Sequence, residues 1–139
     1  MKTFLFRLWQ WTWGFPQTLL GAIIRFLNRK NPSRVYHGCI VTRWRNPYSL
    51  GVGMYLFLSE RSYDKQSQVQ VHEFGHAVQS AILGPLFLPL IGIPSFLWCM
   101  LPVFQTLRKK KRISYYKLYT ESTANRLGNL VSGEKCDLV

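Results

Sequence analysis

Five consecutive residues, His72-Glu73-Phe74-Gly75-His76, carry the side chains in this chain most able to do chemistry together. They form an H-E-x-x-H pattern. On a helix, residues four apart share a face, so both imidazoles can reach one metal ion. The acid between them points close to the same place. There it can take a proton from a water polarised by that metal, as in zinc-dependent hydrolases. Two of the chain's three His residues are committed to this one spacing. A catalytic zinc holds three protein ligands and keeps a position open, so a third donor must come from elsewhere. The acids downstream are Glu121, Glu134 and Asp137. Glu121 lies in Tyr119-Thr120-Glu121-Ser122-Thr123-Ala124-Asn125-Arg126-Leu127, which reads as a helix. Glu134 and Asp137 lie in a tail with Gly133, Lys135 and Cys136 that reads as frayed. The expected zinc ligands are therefore His72, His76 and Glu121, with Glu73 as the general base.

An H-E-x-G-H helix followed by a helix with E-x-x-A-N, here Glu121 to Asn125, resembles the gluzincin-type zinc metalloproteases. The nearest likeness is to the membrane-bound HtpX and CAAX prenyl-protease kind, and it covers mainly the two motif helices. The resemblance implies zinc on His72, His76 and Glu121, and catalysis by Glu73. That family commonly has Asp four residues after the ligand Glu, where it orients a ligand His; this chain has Asn125. An Asn oxygen still accepts a hydrogen bond but brings no charge. Tyr115, Tyr116 and Tyr119 precede Glu121. They are candidates to donate to a developing oxyanion, or to anchor the chain at a membrane interface.

These residues need elements to hold them. Ser67 and Gln70 fit a capping box that would start the motif helix, expected over 67–83. Ahead of it, Tyr36 to Arg45 reads as a strand and Asn46-Pro47-Tyr48-Ser49 as a turn. Leu50 to Leu58 alternates with Leu50, Val52, Met54, Leu56 and Leu58 on one face. The expectation is a small β-hairpin over 36–58. Its Gly51 and Gly53 would let a substrate backbone approach by strand addition. The third ligand should sit on a helix over 113–129.

Two apolar stretches say where such a site would live. The first, 4–27, has only Arg7 and Arg25 as charges, carries Trp9, Trp11 and Trp13, and is interrupted by Gly14 and Pro16. It suits a bilayer span or an interfacial segment. It lacks the compact core and small-x-small site of a signal peptide. The second, 84–107, is free of charge and precedes Arg108-Lys109-Lys110-Lys111-Arg112, a run expected on the cytosolic side. A straight crossing would part His72 and His76 from Glu121 by about 30 Å. A shared metal thus requires the stretch to turn back, and Gly84-Pro85 with Pro89, Gly92 and Pro94 supply the breaks.

Composition agrees with that setting. Hydrophobic content of 47% and five Trp, together with a net charge of +12, read as a membrane-associated chain. Nucleic-acid binding is not expected, because the charges flank apolar runs and no readout motif accompanies them. Cys39, Cys99 and Cys136 show no paired spacing, so no disulfide scaffold is expected. His37 with Cys39 lacks the partners of a metal site.

The sequence therefore reads as a single integral membrane domain over 1–139. It would be mainly α, a zincin-like minidomain with a small β-hairpin before the metal-binding helix and a re-entrant or hairpin apolar segment. The expected function is a membrane-bound zinc metalloendopeptidase. Its site would lie at the cytosolic face or slightly within the bilayer, acting on peptides or membrane-protein segments. The alternative is a zinc-binding but inactive membrane scaffold or adaptor. Membrane lipid is an expected partner, and a partner subunit could complete the cleft of so short a chain.

Overall fold

The computed structural model describes residues 2–138, which form helices α1 (Lys2–Thr12), α2 (Phe15–Leu27), α3 (Gln66–Leu83), α4 (Ile93–Met100), α5 (Pro102–Lys111) and α6 (Tyr119–Ser132). Between α2 and α3 runs a four-stranded sheet of β1 (Ser33–Tyr36), β2 (Cys39–Trp44), β3 (Leu50–Val52) and β4 (Tyr55–Ser59), in the order β1-β2-β4-β3. The protein is mainly helical with a small sheet.

The expected single hairpin is in fact two. The first turns at His37-Gly38, where φ is 45° and 86°, between paired residues Tyr36 and Cys39. Two positive φ values in a two-residue loop match the twist of antiparallel strands. The second turns at Gly53-Met54, with Gly53 at φ 60°, between Val52 and Tyr55. β4 then inserts between its own hairpin partner and β2, pairing with β2 in parallel. Local alternation cannot show this, because the pairing partner is distant in sequence.

The single apolar face expected of Leu50 to Leu58 does not hold, since Leu50 and Met54 join Tyr55 and Phe57 while Leu56 and Leu58 face α3. Every residue of β4 is buried, so both faces are covered. Leu56 and Leu58 pack with Cys39, Val41, Val71, Phe74 and Val78 on the α3 side. Tyr55 and Phe57 pack with Met54 and, on the other face, with Ala22 and Ile24 of α2. The result is three layers, with the sheet between α2 and the pair α3–α6.

Helix α3 starts at Gln66, entered directly from a 3-10 turn over Glu60–Lys65, and no side chain caps it. The expected capping box is absent, since that turn replaces the extended entry a capping residue needs. Gln70 is instead buried and accepts a hydrogen bond from Arg34. The helix ends at Gly84, with φ 56°, where a side chain would strike the Trp13 indole.

The apolar N-terminal stretch is a pair of helices broken at Trp13-Gly14. It docks on α3 through buried polar groups. Gln10 Nε2 donates to the Ala77 carbonyl at 2.9 Å, and Ser80 Oγ donates to Gln10 Oε1 at 2.9 Å. Gln17 Nε2 reaches Ser80 Oγ and the Gly84 carbonyl, both at 2.8 Å. Trp9 and Trp13 donate to the carbonyls of Ala81 and Ile82, at 2.7 and 3.3 Å. These last carbonyls of α3 have no partner within the helix.

The second apolar stretch is broken and bent. It continues from α3 through short 3-10 and π turns into α4, then bends by 72° between Leu88–Met100 and Pro102–Lys111. Leu101 is extended (φ −71°, ψ 127°) because the Pro102 ring excludes the helical region for the residue before it. Among the described residues no single helix is long and apolar enough to cross a membrane, though this bent pair has the length and composition together.

Candidate metal centre

Helix α6 lies against α3 so closely that only glycine fits at two positions of the crossing. A Cβ on Gly75 would sit 1.9 Å from the Ala124 carbonyl oxygen, and one on Gly128 would sit 2.2 Å from that of Val71. Small residues at the crossing put the acid-bearing first turns of α6 directly over the motif. Glu121 and Asn125, four apart on α6, then face His72 and His76, four apart on α3.

Glu121 Oε2 lies 3.0 Å from His72 Nε2 and 3.3 Å from His76 Nε2. The three donor atoms are all within 4.8 Å of one another, and all three residues are buried. Ligands of a tetrahedral zinc stand roughly 3.3 Å apart, given bonds near 2.0–2.1 Å, so two of these separations already match.

Each ligand is oriented from behind. His72 Nδ1 meets Asn125 Oδ1 at 2.5 Å, and Asn125 Nδ2 donates to the Leu138 carbonyl at 2.7 Å. That second bond fixes which end of the amide faces the ring, so Nδ1 carries the hydrogen and Nε2 its lone pair. His76 repeats the device: Nδ1 meets Gln79 Oε1 at 2.7 Å, while Gln79 Nε2 donates to the Thr120 carbonyl at 2.9 Å and Thr123 Oγ1 at 2.7 Å. Glu121 Oε1 accepts from Ser95 Oγ and from Thr120 Oγ1, which leaves Oε2 for the imidazoles. Two nitrogen lone pairs and a carboxylate oxygen thus converge on one point. Three acceptors repel unless a cation or proton lies among them, so His72, His76 and Glu121 are the residues that could hold a metal ion.

Electrostatics follows burial and charge. Burial pulls the His76 pKa down, but the Glu121 charge and hydrogen bond outweigh it and leave it at about 9. Burial would raise Glu121, yet the two imidazoles hold it well below the usual carboxylate range. Glu73 is raised, chiefly by burial, against the pull of His72 and His76.

Glu73 stands between two clefts. One, of about 480 Å³, runs on the His76 side beside Phe87, Ile91, Phe96 and Met100 and is mostly apolar. The other, of about 360 Å³, runs on the His72 side and includes Gln105, Arg108 and Tyr116. Tyr48, Ser49, Glu73, Cys99 and Tyr115 border both.

The three tyrosines part company here. Tyr115 borders both clefts, and burial pushes its pKa strongly up, as does the Glu121 charge. Tyr116 packs edge-on against His72, with ring centroids 5.1 Å apart. Tyr119 is exposed and its hydroxyl donates to the Leu90 carbonyl at 2.7 Å, away from the site. Gly51 lines the larger cleft, whereas Gly53 lies against Thr18 and away from it. A Cβ on Gly51 would meet Glu73, and one on Gly53 would meet Thr18. β3 is an edge strand beside Glu73 and His76.

The tail expected to fray is folded back. Cys136 and Leu138 are buried in the main core, and Tyr36 donates to Glu134 at 2.9 Å. Cys136 Sγ lies 3.3 Å from Asn125 Oδ1. Gln79, Ser95 and this tail were not legible as site residues. For Gln79 a signal existed, since it follows His76 by three on the same helix face.

No protein-family model, no curated protein and no solved structure matches this chain. The likeness to gluzincins accordingly rests on the two motif helices.

Proposed function

We propose that this chain is a membrane-associated zinc metallopeptidase. The observation that carries the reading is the convergence of His72 Nε2, His76 Nε2 and Glu121 Oε2, each turned inward by a hydrogen bond at its other polar atom. A bound zinc ion would supply Lewis acidity toward a scissile carbonyl and an attacking water. Glu73, buried beside both imidazoles, takes the proton of that water and passes it to the leaving amine. Tyr115, at the junction of the clefts, is the tyrosine placed to donate to the oxyanion. An extended peptide would add to the free edge of β3, and the apolar cleft would receive a large apolar side chain.

The membrane part of the proposal is supported by exposed apolar surface. On α2, Phe15, Leu19, Ile23 and Phe26 are 41–62% exposed, and on α4 Ile93 and Phe96 are 54% and 62% exposed. Contiguous apolar surface on this scale marks an interaction site. The exposed basic residues at 109–112 would meet anionic headgroups on the cytosolic face.

Zinc content by mass spectrometry, on protein purified in mild detergent, tests the site. The expected result is near-stoichiometric zinc in the parent and in Glu73→Gln, with loss in His72→Ala and Glu121→Gln. A zinc-free parent overturns the proposal. Peptide hydrolysis lost in Glu73→Gln with zinc retained marks an enzyme. Zinc without hydrolysis in the parent marks the inactive scaffold, the reading that an uncharged Asn125 favours.

A further inference from the structure

The basic run after the second apolar stretch is not uniform. Lys109, Lys110, Lys111 and Arg112 are exposed, but Arg108 turns inward. Its guanidinium carbon lies 5.2 Å from the ring centroids of both Trp98 and Tyr115. Trp98 is itself fixed, donating from Nε1 to the Tyr115 carbonyl at 2.9 Å. Arg108 borders the cleft that also holds His72, Glu73 and Tyr116. Its Nη1 is buried and has no hydrogen-bond partner among the described residues. A buried, unpaired guanidinium donor is costly, and one held between two rings is pre-organised for a planar anion.

We propose that Arg108 anchors a carboxylate of the substrate. This rests on the peptidase reading and extends it. The substrate would place a large apolar side chain in the cleft on the His76 side and a carboxylate on Arg108, with the scissile bond over Glu73. The carboxylate is either an Asp or Glu side chain or the free carboxyl end of the peptide. A lipid phosphate is the other anion within the chemistry of Arg, but Arg108 lies beside His72 and Glu73 in the cleft, apart from its exposed neighbours.

The test uses the full chain in detergent and three probes. Each is a short peptide hydroxamate with a Leu side chain beside the hydroxamate. The distal residue is Ala amide, Asp amide, or Ala with a free carboxyl. Calorimetric titration should show one acidic probe binding about tenfold or more tightly than the Ala amide, the gain expected of a charge-assisted hydrogen bond. Which acidic probe gains identifies the source of the carboxylate. The gain should vanish in Arg108→Met, which keeps the stem between the rings, and return in part in Arg108→Lys. Equal binding of acidic and neutral probes, or a gain that survives Arg108→Met, overturns the inference. So does an Arg108→Met variant that loses only binding to anionic vesicles. The same peptides without the hydroxamate separate the two readings. An Arg108-dependent preference for carboxylate in a protein that binds no zinc keeps this inference and removes the proposed peptidase.

Discussion

At the scale of single residues, the candidate metal site depends on amides as much as on the His-His-Glu group itself. Asn125 accepts from His72 and donates to Leu138, so its two ends do different work. Asn125→Ala should weaken zinc binding by about 10–100-fold, measured by competition with a chelator. Asn125→Asp should keep most of the affinity, since it still accepts from His72. It cannot donate to the Leu138 carbonyl, and thermal unfolding should show a loss of about 1–3 kcal/mol. Gln79→Ala should resemble Asn125→Ala, because Gln79 does for His76 what Asn125 does for His72. The grouping of His72, His76 and Glu121 was legible in the sequence because metal chemistry demands particular residue types at helical spacing. Gln79 and Ser95 were not, because any polar side chain can orient a ligand and only the fold says which one does. The tail was misread for a related reason. Gly133, Lys135 and Asp137 have the composition of a loose end, whereas the burial of Cys136 and Leu138 is decided by what they fold against.

At the scale of elements, the contact between α3 and α6 decides whether a site exists at all. Gly75→Ala would gain about 1 kcal/mol of helix propensity in isolation. Here its methyl would overlap the Ala124 carbonyl, and overpacking costs about 1–3 kcal/mol or more. The clash wins, so Gly75→Ala and Gly128→Ala should both lower the unfolding temperature. Both should also shed zinc, which binding measurements on the same samples would show. Retention of full zinc affinity in both variants would mean that α6 does not need this approach to deliver Glu121. The motif helix was legible, expected over 67–83 and found at Gln66–Leu83, but the helix expected over 113–129 begins only at Tyr119, after a 3-10 turn at Tyr115–Lys117, and runs to Ser132. The sheet was only half legible: its residues were identified, but the parallel pairing of β2 with β4 lies in contacts that no local pattern encodes.

At the scale of the whole molecule, the exposed faces of α2 and α4 predict behaviour with lipid. Flotation with vesicles rich in anionic lipid should recover the protein, and added salt should weaken the binding. Replacing Leu19, Ile23 and Phe26 together by Ser should reduce recovery by at least about tenfold, given the transfer energy of three apolar side chains. Zinc content should be unchanged, since none of the three touches the site. Equal recovery of parent and triple variant would remove α2 from the membrane face. The docking of the first two helices carries a consequence for modularity. Gln10, Gln17, Trp9 and Trp13 complete the hydrogen bonding at the end of the motif helix. A generic anchor of equal length and greasiness, grafted in place of the first 27 residues, would still bring the chain to a bilayer. It would leave the helix that carries His72 and His76 unfinished at its far end. What resembles a detachable tether is therefore part of the body that frames the His-His-Glu group, and no fragment lacking it should retain that geometry.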